Sequence, residues 1–403
     1  MLAANLTHLY SKTAKCVQPS AIREICKLID RPNMKSLAGG WPDPAVFPKE
    51  QMARIAAEQI RKNADKVLQY GTTEGLEELR QELSQLGRKR YGIECSPDQI
   101  LITHGSAQGM YLACRVMIDP GDVVLVGLPT YFGGTGAVKS CNGKVIGVIV
   151  DDEGMNTHKL AEILKKLVDS GKRAKGVYVI PNFQNPTGVT LSLKRREHLV
   201  SLAESFNFVI FKDDPYGDLC FEGRHLPPLM SLDTTGRVIH MRSMYKTFSP
   251  GMRLAWTISQ PDVVRKMAIA KQFVDCTTNT LSQYILLEFI RRGLLEKSIE
   301  FSNEYYRHKR DYMLQQLEIH FPKEVKWNRP SGGFFIFVWL PEDMNATELL
   351  TEAINHNVAF VAGTSFFVDG SAKNSLRLSY SQASLTDINM AVAKLGSLIK
   401  RRM

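Results

Sequence analysis

The feature that most constrains this chain is a regular alternation that starts near residue 46. Short apolar runs trade places with segments whose apolar residues recur every three or four positions. Val123–Gly127, Lys144–Val150, Gly176–Ile180, Phe208–Lys212, Val238–Met241 and Leu254–Ile258 read as buried strands bounded by Gly, Pro or Asp. Gln51–Lys62, Leu76–Arg90, Ala107–Ile118, Thr157–Val168 and Lys194–Ser205 carry helical spacing. Strands apolar along their whole length, separated by helices, predict an α/β fold: a mainly parallel sheet with helices on both faces.

After Pro261 the pattern changes. A long helical region is expected to about Ile319, followed by Gly332-Gly333, a strand at Phe334–Trp339, and helices at 346–356 and 385–401. This predicts a second, smaller α+β domain. The expected division is an N-terminal arm (1–44) joining the small domain, a large domain (45–290) and a small C-terminal domain (291–403). The arm carries a short amphipathic stretch at Ala21–Ile29 and the Pro-rich Trp41–Pro48.

The 403 residues are 44% hydrophobic and 23% charged, ordinary values for a folded chain and too apolar for disorder. No run of about 18 apolar residues occurs, so no membrane span is expected. The 51 Lys and Arg against 41 Asp and Glu leave +10. Basic clusters such as Arg195-Arg196 and Lys400-Arg401-Arg402 read as solvated faces. No aromatic-basic motif or zinc spacing points to nucleic acid, so an anionic small molecule is the better use of local positive charge. Seven cysteines without a CxxC pair read as buried thiols in a reducing compartment. With no secretory h-region, the expected location is cytoplasmic.

Several familiar motifs fail. Gly134-Thr135-Gly136 lacks the third glycine of a dinucleotide loop; no GxxxxGK[ST], HExxH or GxSxG occurs, and the nine histidines lack metal spacing. His104, His158 and His308 therefore read as ordinary residues, and no metal is expected. Other segments stand out as a set: Leu68-Gln69-Tyr70-Gly71, Thr103–Gln108, Pro129-Thr130-Tyr131, Asn182–Gly188, Asp213-Asp214-Pro215-Tyr216, Ser243–Leu254 and Ser375–Ser379. Singly, each has an ordinary reading. Lys246 is a lysine in a polar loop, the Asp pair a turn or helix cap, Tyr131 a core tyrosine, Arg377 a strand-end arginine. Ser106 is either a helix N-cap or, with the Ala107 backbone, part of an anion seat at a helix start; the two are compatible.

In this order and at these separations, from Leu37 to Ser381, the segments resemble the fold-type-I, pyridoxal-phosphate-dependent aminotransferases of class I/II. Leu37-Ala38-Gly39-Gly40, Pro42-Asp43-Pro44 and Phe47-Pro48 are most similar to the α-aminoadipate/kynurenine aminotransferase branch. The resemblance implies pyridoxal 5'-phosphate as cofactor and Lys246 as the lysine that bonds to its aldehyde and then serves as general base. It implies Asp213 as the carboxylate facing the pyridinium nitrogen, with Tyr216 and Asn185 at the ring's 3-oxygen and Tyr131 stacked on the ring. Ser106, the Ala107 backbone, Ser243 and Arg253 would hold the phosphate. Tyr70 would reach the phosphate of a neighbouring subunit, making a homodimer the working unit. Arg377 would pair with the substrate α-carboxylate, assisted by the Gly40 backbone and Asn185. Two positions depart from the family pattern: Ala107, where Gln is common, and Tyr245, where a small residue is usual.

The implied activity is ping-pong transfer of an amino group from a 2-aminoadipate, aromatic or branched-chain L-amino acid to a 2-oxo acid such as 2-oxoglutarate. A β-lyase or decarboxylase on the same scaffold is the alternative, because the pocket decides which substrate bond stands perpendicular to the ring. A non-catalytic regulator is disfavoured, since only about 35 residues precede Ser36, too few for a DNA-binding module.

Overall fold

The computed structural model describes residues 6–16, 33–244 and 246–403. The Ala21–Ile29 stretch, Cys26 and Tyr245 lie outside them. The described strands are β1 (Lys35–Ser36), β2 (Ile100–His104), β3 (Val123–Leu128), β4 (Lys144–Asp151), β5 (Gly154–Met155), β6 (Ala174–Val179), β7 (Val209–Asp214), β8 (Val238–Ser243) and β9 (Leu254–Ile258). They are followed by β10 (Lys326–Trp327), β11 (Phe335–Trp339), β12 (Val358–Ala359), β13 (Val361–Ala362) and β14 (Ser375–Ser379).

Eight strands form one sheet in the order β2-β9-β8-β7-β6-β3-β4-β5. Its centre, β4-β3-β6-β7-β8, is parallel, and antiparallel pairings close both edges. The centre is parallel because each strand is followed by a helix that returns the chain across a face, burying both sides. Val124, Leu125, Val126, Val177, Tyr178, Ile210 and Phe211 are accordingly without exposed surface. The helices start where the chain supplies caps: Asn156 accepts from the Lys159 amide at the head of Thr157–Asp169, and Pro261 opens Pro261–Gln272.

A four-stranded antiparallel sheet, β10-β11-β14-β13, sits at the C-terminal end of the chain. In the arm, β1 pairs in parallel with β12. Asp43, just beyond, is fixed by Lys309 (2.7 Å) and Tyr305 (2.8 Å), while its amide donates to the Tyr306 hydroxyl (2.9 Å). The arm is thereby bound to helix Leu294–His320.

Five sequence expectations need correction. Ile100–His104 is a strand in addition to those read from the sequence. The helical region after Pro261 is three helices, Pro261–Gln272, Thr280–Arg291 and Leu294–His320, parted where Cys276 and Gly293 take positive φ (58° and 64°). The helix expected to reach Arg90 ends at Leu86 in a wider turn, Gly87–Tyr91, because Gly92 (φ 63°) turns the chain back. Arg196 is fully buried rather than solvated: its guanidinium donates to the carbonyls of Leu191, Pro181 and Pro227 and to Asn182, bracing the loop after β6. The thiols divide as well, with Cys95, Cys114 and Cys141 buried, Cys220 half-buried and Cys276 exposed. Among the described residues, no helix is long and apolar enough to cross a membrane.

Candidate active site

The carboxyl ends of the parallel strands, the start of helix Ser106–Met117, the arm and the small sheet surround a cavity of about 660 Å³. In open α/β sheets this end is where ligands bind, because helix N-termini and mobile loops gather there. Gly40, Ser106, Ala107, Tyr131, Asn185, Asp213, Tyr216, Lys246, Arg253 and Arg377 all line it. Two of the sequence candidates do not. Ser243 ends β8 beneath the wall, its buried hydroxyl without a hydrogen bond among the described residues. Tyr70 is 83% exposed, away from this chain's own cavity. Trp41, Pro42, Met110, Phe132, Pro250 and Phe335 also line the space and were missed. Their only sequence signal is proximity to residues already singled out.

Lys246 is buried and donates from Nζ to the Gly40 carbonyl at 2.6 Å. Its ammonium lies 5.0 Å from the ring centroid of Phe334 and 5.4 Å from that of Tyr216. Burial pushes its pKa down to about 7; the Arg377 and Arg253 charges add to the push, and Asp213 opposes it. At neutral pH a large fraction is the free amine, the form that can act as nucleophile or base.

Adjacent Asp213 and Asp214 face opposite sides of β7, as alternation along a strand requires. Asp214 turns away from the cavity to Lys212 (3.0 Å), Arg242 (2.6 Å) and Asn182 (2.9 Å). Those charges hold it far below the usual carboxylate range despite its burial. Asp213 turns inward: Oδ2 accepts from Tyr178 at 3.1 Å, while Oδ1 has no hydrogen bond among the described residues. Burial raises its pKa to about 6, against the pull of the Tyr178 and Ser106 hydroxyls. A half-satisfied carboxylate in a cavity wall calls for an N–H or cationic partner.

The anion seat lies across from it. Gly105 (φ 78°) is the N-cap of helix Ser106–Met117, making Ser106 the first helical residue rather than the cap. A Cβ at position 105 would lie 2.6 Å from Arg253 Nη2, so the close approach of that guanidinium requires glycine. Arg253 itself holds φ 53°. Exposed helix-start amides beside an arginine form a site for a phosphate-sized anion. The Gly134-Thr135-Gly136 stretch lies in helix Phe132–Ser140, where Gly134 packs against the Tyr178 ring.

Arg377 sits mid-strand in β14, buried and oriented by Asn185 (2.7 Å) and the Ala38 carbonyl (2.5 Å). Its guanidinium lies 4.0 Å from the Phe335 ring centroid. Position 40 admits only glycine at this spacing, since a Cβ would meet Phe335 Cζ at 2.7 Å. Among the described residues, no group of three or more His, Cys, Asp or Glu is placed to hold a metal ion.

Fold and cavity together define an α/β enzyme built around a phosphate-bearing ligand that a near-neutral lysine can attack. The family model for aminotransferases of class I and II matches residues 43–395, and the chain belongs to that family. Aromatic-amino-acid aminotransferase 1 of Thermococcus litoralis is 40% identical over 98% of this chain and 94% of its own length. The 2-aminoadipate transaminase of Thermus thermophilus is 36% identical over 97% and 96%. The crystal structure of Pyrococcus horikoshii kynurenine aminotransferase, in complex with PMP, superposes with a TM-score of 0.95 at 40% identity, covering 99% of this chain and 98% of that one. The fold class read from the sequence is thus the observed one, and the chain is a transaminase.

The residues present fit pyridoxal phosphate. The Asp213 oxygen without a hydrogen bond among the described residues suits a protonated ring nitrogen, the helix start with Arg253 suits the phosphate, and Lys246 has the ionisation an aldehyde-binding amine needs.

Proposed function

We propose that this enzyme moves the amino group of a large apolar or aromatic L-amino acid to 2-oxoglutarate, with pyridoxal 5'-phosphate as cofactor. The observation that carries the substrate choice is the wall beyond Lys246 and Arg377. Trp41, Pro42, Met110, Phe132 and Phe335 supply apolar surface there, and the described lining has no cation besides Lys246, Arg253 and Arg377. Aromatic and branched side chains are well served by these walls. Among the relatives, one is named for aromatic amino acids, one for kynurenine and one for 2-aminoadipate, so the choice within that range rests on the apolar walls.

When bound, the cofactor's ring accepts electron density from the substrate Cα. The side chains do the rest. The Lys246 amine would take the proton from Cα and deliver it to the cofactor's C4′, two atoms away. Asp213 keeps the ring nitrogen protonated through its inward oxygen, with Tyr178 holding the other. Ser106, the Ala107 amide and Arg253 would hold the phosphate; Asn185 and Tyr216 would meet the ring's oxygen substituent, and Tyr131 would lie against the ring. Arg377, already oriented by Asn185 and Ala38, receives the α-carboxylate, and the Gly40 segment closes over it.

The working unit is a cytoplasmic homodimer. Tyr70 (83% exposed), Leu68 (65%), Phe273 (86%) and Val274 (53%) form one exposed apolar face. The two segments carrying them are tied together by Thr280 donating to the Gln69 carbonyl and Thr277 to that of Thr72. Such a face is the place for a second copy, with Tyr70 reaching its cavity.

Titrating the cofactor-loaded enzyme with single amino acids, without any oxo acid, tests the reading. Conversion of the cofactor to its amine form by aromatic donors, reversed by 2-oxoglutarate, is the expected result. Conversion by 2-aminoadipate alone would overturn the substrate assignment. Release of ammonia or carbon dioxide without conversion would mean elimination or decarboxylation.

A further inference from the structure

His104, Gln108 and Asp275 form a cluster beside the cavity that the mechanism does not use. Asp275 follows helix Pro261–Gln272 and lies outside the cavity lining, as does Gln108. Its Oδ2 accepts two hydrogen bonds at 2.7 Å, from His104 Nδ1 and from Gln108 Nε2, while Oδ1 accepts from Lys271 Nζ at 2.8 Å. Gln108 closes the ring by accepting from the His104 amide at 2.8 Å. The bracketed segment, 104–108, carries the Gly105, Ser106 and Ala107 backbone of the anion seat.

A carboxylate close to an anion seat is electrostatically unwelcome unless it is neutralised. Here it is: Lys271 has no exposed surface, its Nζ makes no other hydrogen bond among the described residues, and it cancels the charge. What remains is geometry. Two bonds to one oxygen fix both ends of the five-residue segment 104–108 around Gly105, which sits at φ 78° and, lacking a Cβ, is freer than any other residue type. An untethered turn of this kind would have to be ordered each time an anion bound, at the expense of affinity.

We propose that Asp275 is a positioning residue for the cofactor phosphate, acting through Gln108 and His104 to hold the 105–107 backbone ready before the cofactor arrives. This rests on the cofactor reading above and adds to it a residue that touches neither cofactor nor substrate. The tether also ends in the exposed Phe273-Val274 segment, so the seat and the proposed subunit face share one support.

The test separates a phosphate effect from general damage by comparing pyridoxal 5'-phosphate with pyridoxal, which lacks the phosphate. Equilibrium dialysis of the cofactor-free protein gives both dissociation constants. Asp275→Ala should weaken the phosphorylated form about tenfold or more and pyridoxal by no more than about twofold. Inorganic phosphate should lose potency as a competitor in parallel. Gln108→Leu cuts the loop end of the tether while leaving Lys271–Asp275 intact, and it carries the test should Asp275→Ala fail to fold. Equal weakening of both ligands, or no weakening of either, would overturn the proposal. Wild-type protein that binds neither ligand would overturn the cofactor reading itself, and this inference with it.

Discussion

Two faces of β7 and β8 make an instructive contrast. Behind the strands, Lys212, Asp214, Arg242 and Asp218 close on one another: Arg242 spans Asp214 (2.6 Å) and Asp218 (2.8 Å), and Tyr91 lies under its guanidinium at 3.6 Å. In front, a single residue along the chain, Asp213 keeps one oxygen without a hydrogen bond among the described residues, and burial brings the Lys246 pKa down to about 7. Burial is similar on both faces, so burial alone does not make a reactive group. Satisfaction differs. The rear face spends its charges on each other and fixes the loop 213–218 at both ends. The front face leaves its charges available to a ligand, at some cost in stability.

The contrast can be tested from the front first. Lys246→Met should lower turnover on the order of 10⁴-fold while the chain stays folded, measured as kcat with circular dichroism as control. Arg242→Met should do the reverse of a clean active-site lesion. It leaves Asp214 and Asp218 buried without their shared partner and should cost about 3–5 kcal/mol of stability, read from denaturant unfolding. Similar stability in that variant would remove the distinction between the two faces. Arg377→Ala should raise the KM for amino donors about tenfold to a hundredfold, since a charge-assisted pair is lost. An unchanged KM would place the carboxylate elsewhere.

The smallest effect is the sharpest. In the cofactor-free protein the Lys246 pKa stands near 7 rather than its ordinary 10.5. The folded state therefore carries the full penalty below pH 7, and the penalty shrinks as pH rises from 7 toward 10.5, where the unfolded chain also loses its proton. Lys246→Met should thus stabilise the cofactor-free protein by about 1 kcal/mol at pH 6, with the gain fading by pH 10. Lys212 is also held down, to about 8, chiefly by burial and against the pull of Asp214. Lys212→Met should nonetheless destabilise at both pH values, because it strips a partner from Asp214. Melting temperatures of the two variants across pH decide the matter.

What the sequence made legible follows the same division. Strands buried on both faces announce themselves by unbroken apolar runs, and Leu254–Ile258 was read to the residue. Groups whose backbone context is unusual, such as Gly105 before a helix or Asp213 at a strand end, were also visible. Arg242 and Asp275 were not, since each has an ordinary local setting and acquires its partner only when distant segments meet; Gln108 lay in a segment singled out, but its bond to Asp275 did not show. Arg196 shows the failure most plainly. Beside Arg195 on helix Leu193–Phe206 it looks solvated, yet loop carbonyls brought in by the tertiary fold satisfy it completely. In the 261–319 region the break at Cys276 was hidden because cysteine is no recognised helix stop, whereas Gly293 carried a stop signal that the reading passed over.

The hydrogen bond from Lys246 to Gly40 spans 206 positions of chain, that from Arg377 to Asn185 spans 192, and that from Arg377 to Ala38 spans 339. None can form in a fragment that lacks either partner. A nick that lets the arm or the C-terminal sheet drift therefore dismantles the cavity even where every strand of the large sheet survives. Conversely, a ligand that draws these segments together guards the whole polypeptide, so protease resistance should rise with cofactor concentration along the binding curve.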